Sequence, residues 1–73
     1  MGDEIRIPRV MLEEVAAMRL PPRTDQRLQA LMDRNNDGRL NPDERLEMES
    51  LVEMSETISL MRAKALRLLG RKP

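Results

Sequence analysis

Apolar residues in this chain recur mostly at steps of three and four, the period of a helix with one buried face. Val10, Met11, Val15 and Met18 fall at helical spacings, and Leu12 and Ala16 widen the stripe. With Pro8 at a place suited to a helix start, the pattern predicts a short helix over 9–19. Pro21-Pro22 closes it, because proline has no amide to donate and drives the residue before it out of the helical region. Upstream, Ile5-Arg6-Ile7 alternates apolar and polar, which reads as an extended arm over 1–8. Leu28, Leu31 and Met32 mark a second helix over 24–33, with Thr24 or Asp25 as its cap. The third is long. Asn41, Pro42 and Glu44 are a helix-start signal, and no Gly or Pro intervenes until Gly70, so the helix is predicted over 42–69, ~42 Å at the usual rise. The fold class is all-α, a single domain over 1–73: a short N-terminal helix, then helix-loop-helix with a long C-terminal helix.

Within the long helix, Leu51, Met54, Ile58, Met61, Ala65 and Leu68 fall at alternating steps, a seam of the coiled-coil kind. Met48, Val52, Leu60, Leu66 and Leu69 broaden it. The seam reads either as the core face of a three-helix domain or, in part, as a surface for another chain. Charge is segregated along the same helix. Asp43, Glu44, Glu47, Glu49, Glu53 and Glu56 precede residue 58, and Arg62, Lys64, Arg67, Arg71 and Lys72 follow it. The helix macrodipole favours that order. It also favours an antiparallel homodimer over a parallel one, since only the antiparallel pair sets acid against base.

Composition removes several classes. The 73 residues make one small domain at most, and a core that size often needs a metal, a disulfide or a partner. There is no Cys, so no disulfide. Thirteen basic and thirteen acidic residues balance, and there is no Phe, Trp or Tyr to stack on bases, so no nucleic-acid partner is expected. No apolar run approaches a membrane span. The acidic start, Met1-Gly2-Asp3-Glu4, has no hydrophobic block, and the expectation is a cytoplasmic protein. With no His or Cys, and with Ser50, Ser55 and Ser59 mid-helix without a base, an enzyme is not expected.

The remaining chemistry lies in the loop 33–44. Oxygen-bearing side chains stand at Asp33, Asn35, Asp37 and Asn41, Gly38 at the sixth place and Glu44 at the twelfth. That spacing wraps a twelve-residue loop around a calcium ion, with Arg39 giving its backbone carbonyl and Glu44 both carboxylate oxygens. Hard oxygen donors suit calcium over softer metals, and the interleaved Arg34 and Arg39 set an expected affinity of about 10⁻⁶ to 10⁻⁴ M. The other reading needs no ion. Asn36-Asp37-Gly38 is a turn signal, and Asn41 with Glu44 is a capping box.

On these residues the stretch 24–55 resembles the EF-hand family. The resemblance implies a calcium-binding helix-loop-helix. Such loops pair through the eighth loop position, here Leu40, yet the chain holds a single loop. Three expectations result: two chains pair through Leu40, the Ile5-Arg6-Ile7 arm takes the partner's place, or the site is a lone loop outside the paired family. The run from Leu20-Pro21-Pro22 through Arg27-Leu28-Gln29-Ala30-Leu31-Met32-Asp33-Arg34-Asn35, Leu51-Val52-Glu53 and Ser59-Leu60-Met61-Arg62-Ala63-Lys64-Ala65 also resembles a group of small bacterial partner proteins of antitoxin type. That implies a protein partner, an HNH-type nuclease among the candidates, and no chemistry of its own.

Overall fold

A computed structural model describes residues 7–71. The expected arm over 1–8 lies almost wholly outside them. The chain forms three helices, α1 (Arg9–Ala16), α2 (Pro22–Asn36) and α3 (Pro42–Leu68), and no strand occurs among the described residues. The all-α helix-loop-helix with a long last helix is as the sequence predicts. Two compact units divide the chain: a central one, Arg19–Ile58, and a terminal one, Met1–Met18 with Ser59–Pro73.

The boundaries follow local chemistry. α1 stops at Ala16, three residues short of the predicted end, with Ala17 as its C-cap. α2 starts earlier than predicted, with Pro21 as N-cap and Pro22 at the first helical position. Neither Thr24 nor Asp25 is the cap, because a proline at the first position needs no amide partner and begins the helix itself. α2 also runs on to Asn36, past the predicted end at Asp33. α3 keeps the predicted start: the Asn41 side chain accepts the Glu44 amide at 2.8 Å, and Glu44 Oε1 accepts the Asn41 amide at 3.2 Å. This is a reciprocal capping box.

Both α2 and α3 end in the same way. Gly38 (φ 70°) and Gly70 (φ 77°) take the left-handed conformation. Arg39 N–H reaches the Arg34 carbonyl and Gly38 N–H that of Asn35, and Arg71 and Gly70 repeat the pattern onto Leu66 and Arg67. These are Schellman motifs, which satisfy the last carbonyls of a helix.

In the central unit, α2 and the start of α3 run antiparallel, since Arg27 meets Glu47 through two bonds of 2.8 Å while Arg34 meets Glu44. Leu28 and Leu31 are buried there, Leu31 completely. In the terminal unit, α1 and the end of α3 are also antiparallel. Arg62 Nε–H donates to the Ala16 carbonyl at 3.3 Å, and Arg71 grips Glu13 at 2.8 and 3.0 Å. The one buried side chain on this stretch of α3 is Ala65.

The covered positions of α3 do not coincide with the expected seam. Leu51, Ile58 and Ala65 are covered, but at the alternate steps Ser55, Arg62 and Leu69 are covered, while Met54, Met61 and Leu68 are exposed. The covered stripe is shifted by one residue at each alternate step. Arg62 accounts for part of the shift, because its guanidinium turns inward to satisfy a carbonyl at the end of α1, a role that suits a cation. The rest follows from width: the apolar face of α3 is broader than one short packed helix covers.

Candidate functional site

The loop and the apolar flank of the terminal unit are the two candidates. In the loop, Asp33 and Asn35 sit on the last turns of α2, and Asp37 is its C-cap. Their backbone carbonyls and amides serve the helix end: Asp33 O takes Asp37 N–H, and Asn35 O takes Gly38 N–H. The Arg39 amide is in the Schellman motif. Asn41 and Glu44 hold each other in the capping box, and the second Glu44 oxygen pairs with Arg34. The structure therefore brings together Asn41, Glu44 and Arg34. It does not bring Asp33, Asn35 and Asp37 into one cluster with them, and no group of three or more acidic side chains placed for a metal occurs among the described residues. Leu40 is half-buried in the link between α2 and α3, with no strand partner among the described residues.

Gly38 has no heavy atom within 4 Å of where a Cβ would stand. The requirement for glycine is thus conformational, the positive φ of the helix end, and not close approach of another group. Among the described residues Asp33 and Asp37 have no ion pair, and they lie at the C-terminal end of α2, where the helix dipole disfavours acids.

The second candidate is an open apolar groove of about 360 Å³ in the terminal unit. Met11 and Val15 line it from α1, and Met61, Lys64 and Leu68 from α3, with Ala65 at its floor. Helical spacing explains who lines it. Met11 and Val15 are one turn apart on α1, and Met61, Ala65 and Leu68 step by four and three on α3. The walls are unusually uncovered. Met11 is 52 % exposed, Met61 41 % and Leu68 66 %.

Of the residues expected from sequence to meet a partner, Met61, Ala65 and Leu68 line this groove, and Met54 is exposed in the central unit. Leu51 and Ile58 are half-buried. Sequence reasoning missed the contribution of α1, Met11 and Val15, because their helical spacing reads equally well as core. The signal that would have found them is the small size of the terminal unit, where one short helix cannot cover two apolar flanks.

Two glutamates are tuned by arginine partners. The paired hydrogen bonds from Arg71, with its charge, hold Glu13 below the usual glutamate range, and Arg27 does the same for Glu47. Both pairs are solvent-exposed and read as clamps on helix packing rather than as catalytic groups. None of the helices is long and apolar enough to cross a membrane, among the described residues. No family model, curated protein or solved structure matches this chain.

Proposed function

We propose that this chain is a small helical partner protein: it acts by docking another polypeptide through the apolar groove of its terminal unit, and its loop is a capped joint that needs no metal. The observation that carries this is the ratio of covered to uncovered apolar side chains. Among the described residues three hydrophobic side chains are buried, Leu28, Leu31 and Ala65, while ten large ones are exposed. Four of the ten, Ile7, Met11, Met61 and Leu68, line this one groove, and contiguous exposed apolar surface marks an interaction site. A photo-crosslinking residue at position 61, in the cells that make the protein, gives a discrete polypeptide adduct, and the same residue at exposed position 23 gives none. An absence of any adduct at position 61 overturns the reading.

A second reading keeps calcium at the loop. It is supported by the spacing of Asp33, Asn35, Asp37, Gly38 and Glu44 and by two unpaired acids at the negative end of α2, where a cation would offset the dipole. It requires the last turn of α2 to unwind and Glu44 to leave its cap. Calorimetry with calcium decides it. Heat that vanishes in Asp33→Ala and Glu44→Gln supports the ion, and no heat at millimolar calcium removes it. Glu44→Gln is the sharper control, since glutamine keeps the capping box and loses the carboxylate.

A further inference from the structure

The groove of the terminal unit is apolar along its length and cationic at one rim. Of the eight described residues that line it, Lys64 alone is charged. A second open hollow of about 310 Å³ adjoins it, lined by Lys64, Arg67 and Leu68. Because Lys64 and Leu68 border both hollows, Arg67 stands just beyond the α3 wall of the groove. The other cations of this stretch are engaged: Arg62 donates to the Ala16 carbonyl, and Arg71 holds Glu13. Among the described residues, the side chains of Lys64 and Arg67 have no hydrogen bond or ion pair. The acids of α1, Glu13 and Glu14, line neither hollow. A partner therefore meets an apolar groove with two positive charges along its α3 edge and no acid in its lining.

We infer that the occupant of this groove is an amphipathic helix of another polypeptide, with an apolar stripe seated between α1 and α3 and acidic residues along the edge that meets Lys64 and Arg67. This inference rests on the polypeptide-docking reading above and gives the partner's chemistry. The conformation follows from the backbone. Both walls are helices, whose amides and carbonyls are bonded within themselves. An extended segment would find no hydrogen-bond partners there, and an unpaired backbone group away from water is costly. A helix brings its backbone bonds with it and needs only apolar side chains at steps of three and four to fill the groove. From Met61 to Leu68 the α3 wall runs about two turns, ~10 Å at the usual rise, so a short helix spans it. The charge follows from the rim. An acid there gains two cations that no described acid neutralises, whereas a base meets like charge across a partly covered edge. The concave shape sets a bilayer aside, since a flat surface has no ridge to enter a groove between two helices. Met11 and Met61, one on each wall, are adaptable side chains that adjust to the ridge that enters.

Fluorescence anisotropy on the full chain tests this with three labelled synthetic peptides of equal length. The first, acid-edged, carries leucines at helical steps with glutamates along both edges. The second replaces each glutamate by lysine, and the third keeps the glutamates and sets a proline at its centre. The acid-edged peptide binds, the lysine peptide binds about tenfold or more weakly, and the proline peptide, which cannot hold the helix, does not bind. Lys64→Glu with Arg67→Glu reverses the ranking of the first two, and Arg23→Glu on the central unit leaves it unchanged. Circular dichroism confirms that these variants keep their helices, as expected for exposed positions. Equal binding of the first two peptides, a ranking that the rim variant does not change, or full binding of the proline peptide overturns the inference and leaves polypeptide docking standing. Failure of all three peptides, with the adduct at position 61 still formed, has the same meaning. Other occupants are read on the same protein: a dimer that excludes the acid-edged peptide, binding to phosphatidylglycerol vesicles in place of the peptide, or a crosslink from position 61 to residues 1–6 of the same chain each overturns it. The absence of any adduct at position 61 defeats both this inference and the docking reading.

Discussion

The central and terminal units are built from the same parts and finished to different degrees. Each pairs one helix with part of α3, ties the pair with an arginine–glutamate clamp, and closes a helix with a glycine in the left-handed region. The central unit buries two leucines and caps α3 with a reciprocal box. The terminal unit buries a single alanine and leaves Val10, Met11, Met61 and Leu68 uncovered. Burial of a leucine side chain is worth about 1.5–3 kcal/mol, so the two units differ in the term that dominates small-domain stability. The contrast teaches where the core of the chain lies: the central pair buries two leucines although it also exposes Met32, Leu46 and Met54, and the terminal pair buries only Ala65 and leaves an apolar groove open.

The largest effect that can break this contrast comes from truncating one leucine in each unit. Leu31→Ala removes a completely buried side chain and should cost ~2–5 kcal/mol, which in a chain this size lowers the melting temperature by at least ~10 °C. Leu68→Ala removes a side chain that is mostly in water and should leave the melting temperature of the dilute protein nearly unchanged. Its effect should appear once the acid-edged peptide is bound, because a side chain covered only in a complex contributes stability by mass action. Thermal melts of both variants without and with that peptide check this. Equal losses that the peptide does not change would show that the terminal unit is as complete as the central one.

Most of this division was written in the sequence, though not all of it could be read there. The three helices follow from apolar periodicity, and the Asn41–Glu44 box and the glycine ends from residue types with one dominant backbone use. The start of α2 was misplaced because Thr24 and Asp25 are both good caps, and only the chain's course through Pro21 and Pro22 decides that neither is used. The seam on α3 was half legible. Leu51, Ile58 and Ala65 are covered as the periodicity suggests, but Met54, Met61 and Leu68 satisfy the same spacing and face solvent. Period alone identifies an apolar face and does not say which flank a neighbouring helix covers. The loop was the least legible. Asp33, Asn35 and Asp37 fit an ion's coordination sphere in spacing, yet they continue α2 into a Schellman motif. The choice between these depends on backbone conformation that the same residues permit either way.

A smaller effect sharpens the comparison at the two glycines. Gly38→Ala and Gly70→Ala meet no neighbouring atom, so each costs only the strain of an L-residue in the left-handed region, ~1–2 kcal/mol. At Gly38 the strain falls between two packed helices of the central unit and should appear in full as a lower melting temperature. At Gly70 the last turn of α3 can fray instead and release it. The measured loss should therefore be clearly larger at Gly38, and Gly38→Asn should be milder than Gly38→Ala, because asparagine tolerates this conformation better. Equal losses at both glycines would mean that the end of α3 is held as firmly as the loop.

The smallest effect concerns the two clamps and acid. Arg71 and Arg27 hold Glu13 and Glu47 below the ordinary glutamate range through paired hydrogen bonds first and charge second. A carboxylate whose folded-state pKa is depressed contributes stability that is fully present above its unfolded value, about 4.3. That contribution is lost as the pH falls through the depressed folded value. Stability should hence be level from neutral pH down to about 5 and decline below it. Because both pairs are exposed, salt should blunt the decline. Carboxyl-carbon NMR titrations read the two units separately. Both glutamates should titrate below the ordinary range, Glu13 should move back towards it in Arg71→Met, where Arg9 still acts on it, and Glu47 should return to it in Arg27→Met. If Glu47 is depressed and Glu13 is not, the Arg71 clamp is open in solution and the terminal unit is looser than its hydrogen bonds imply. That result would move the boundary between the finished and unfinished parts of the chain further towards its centre.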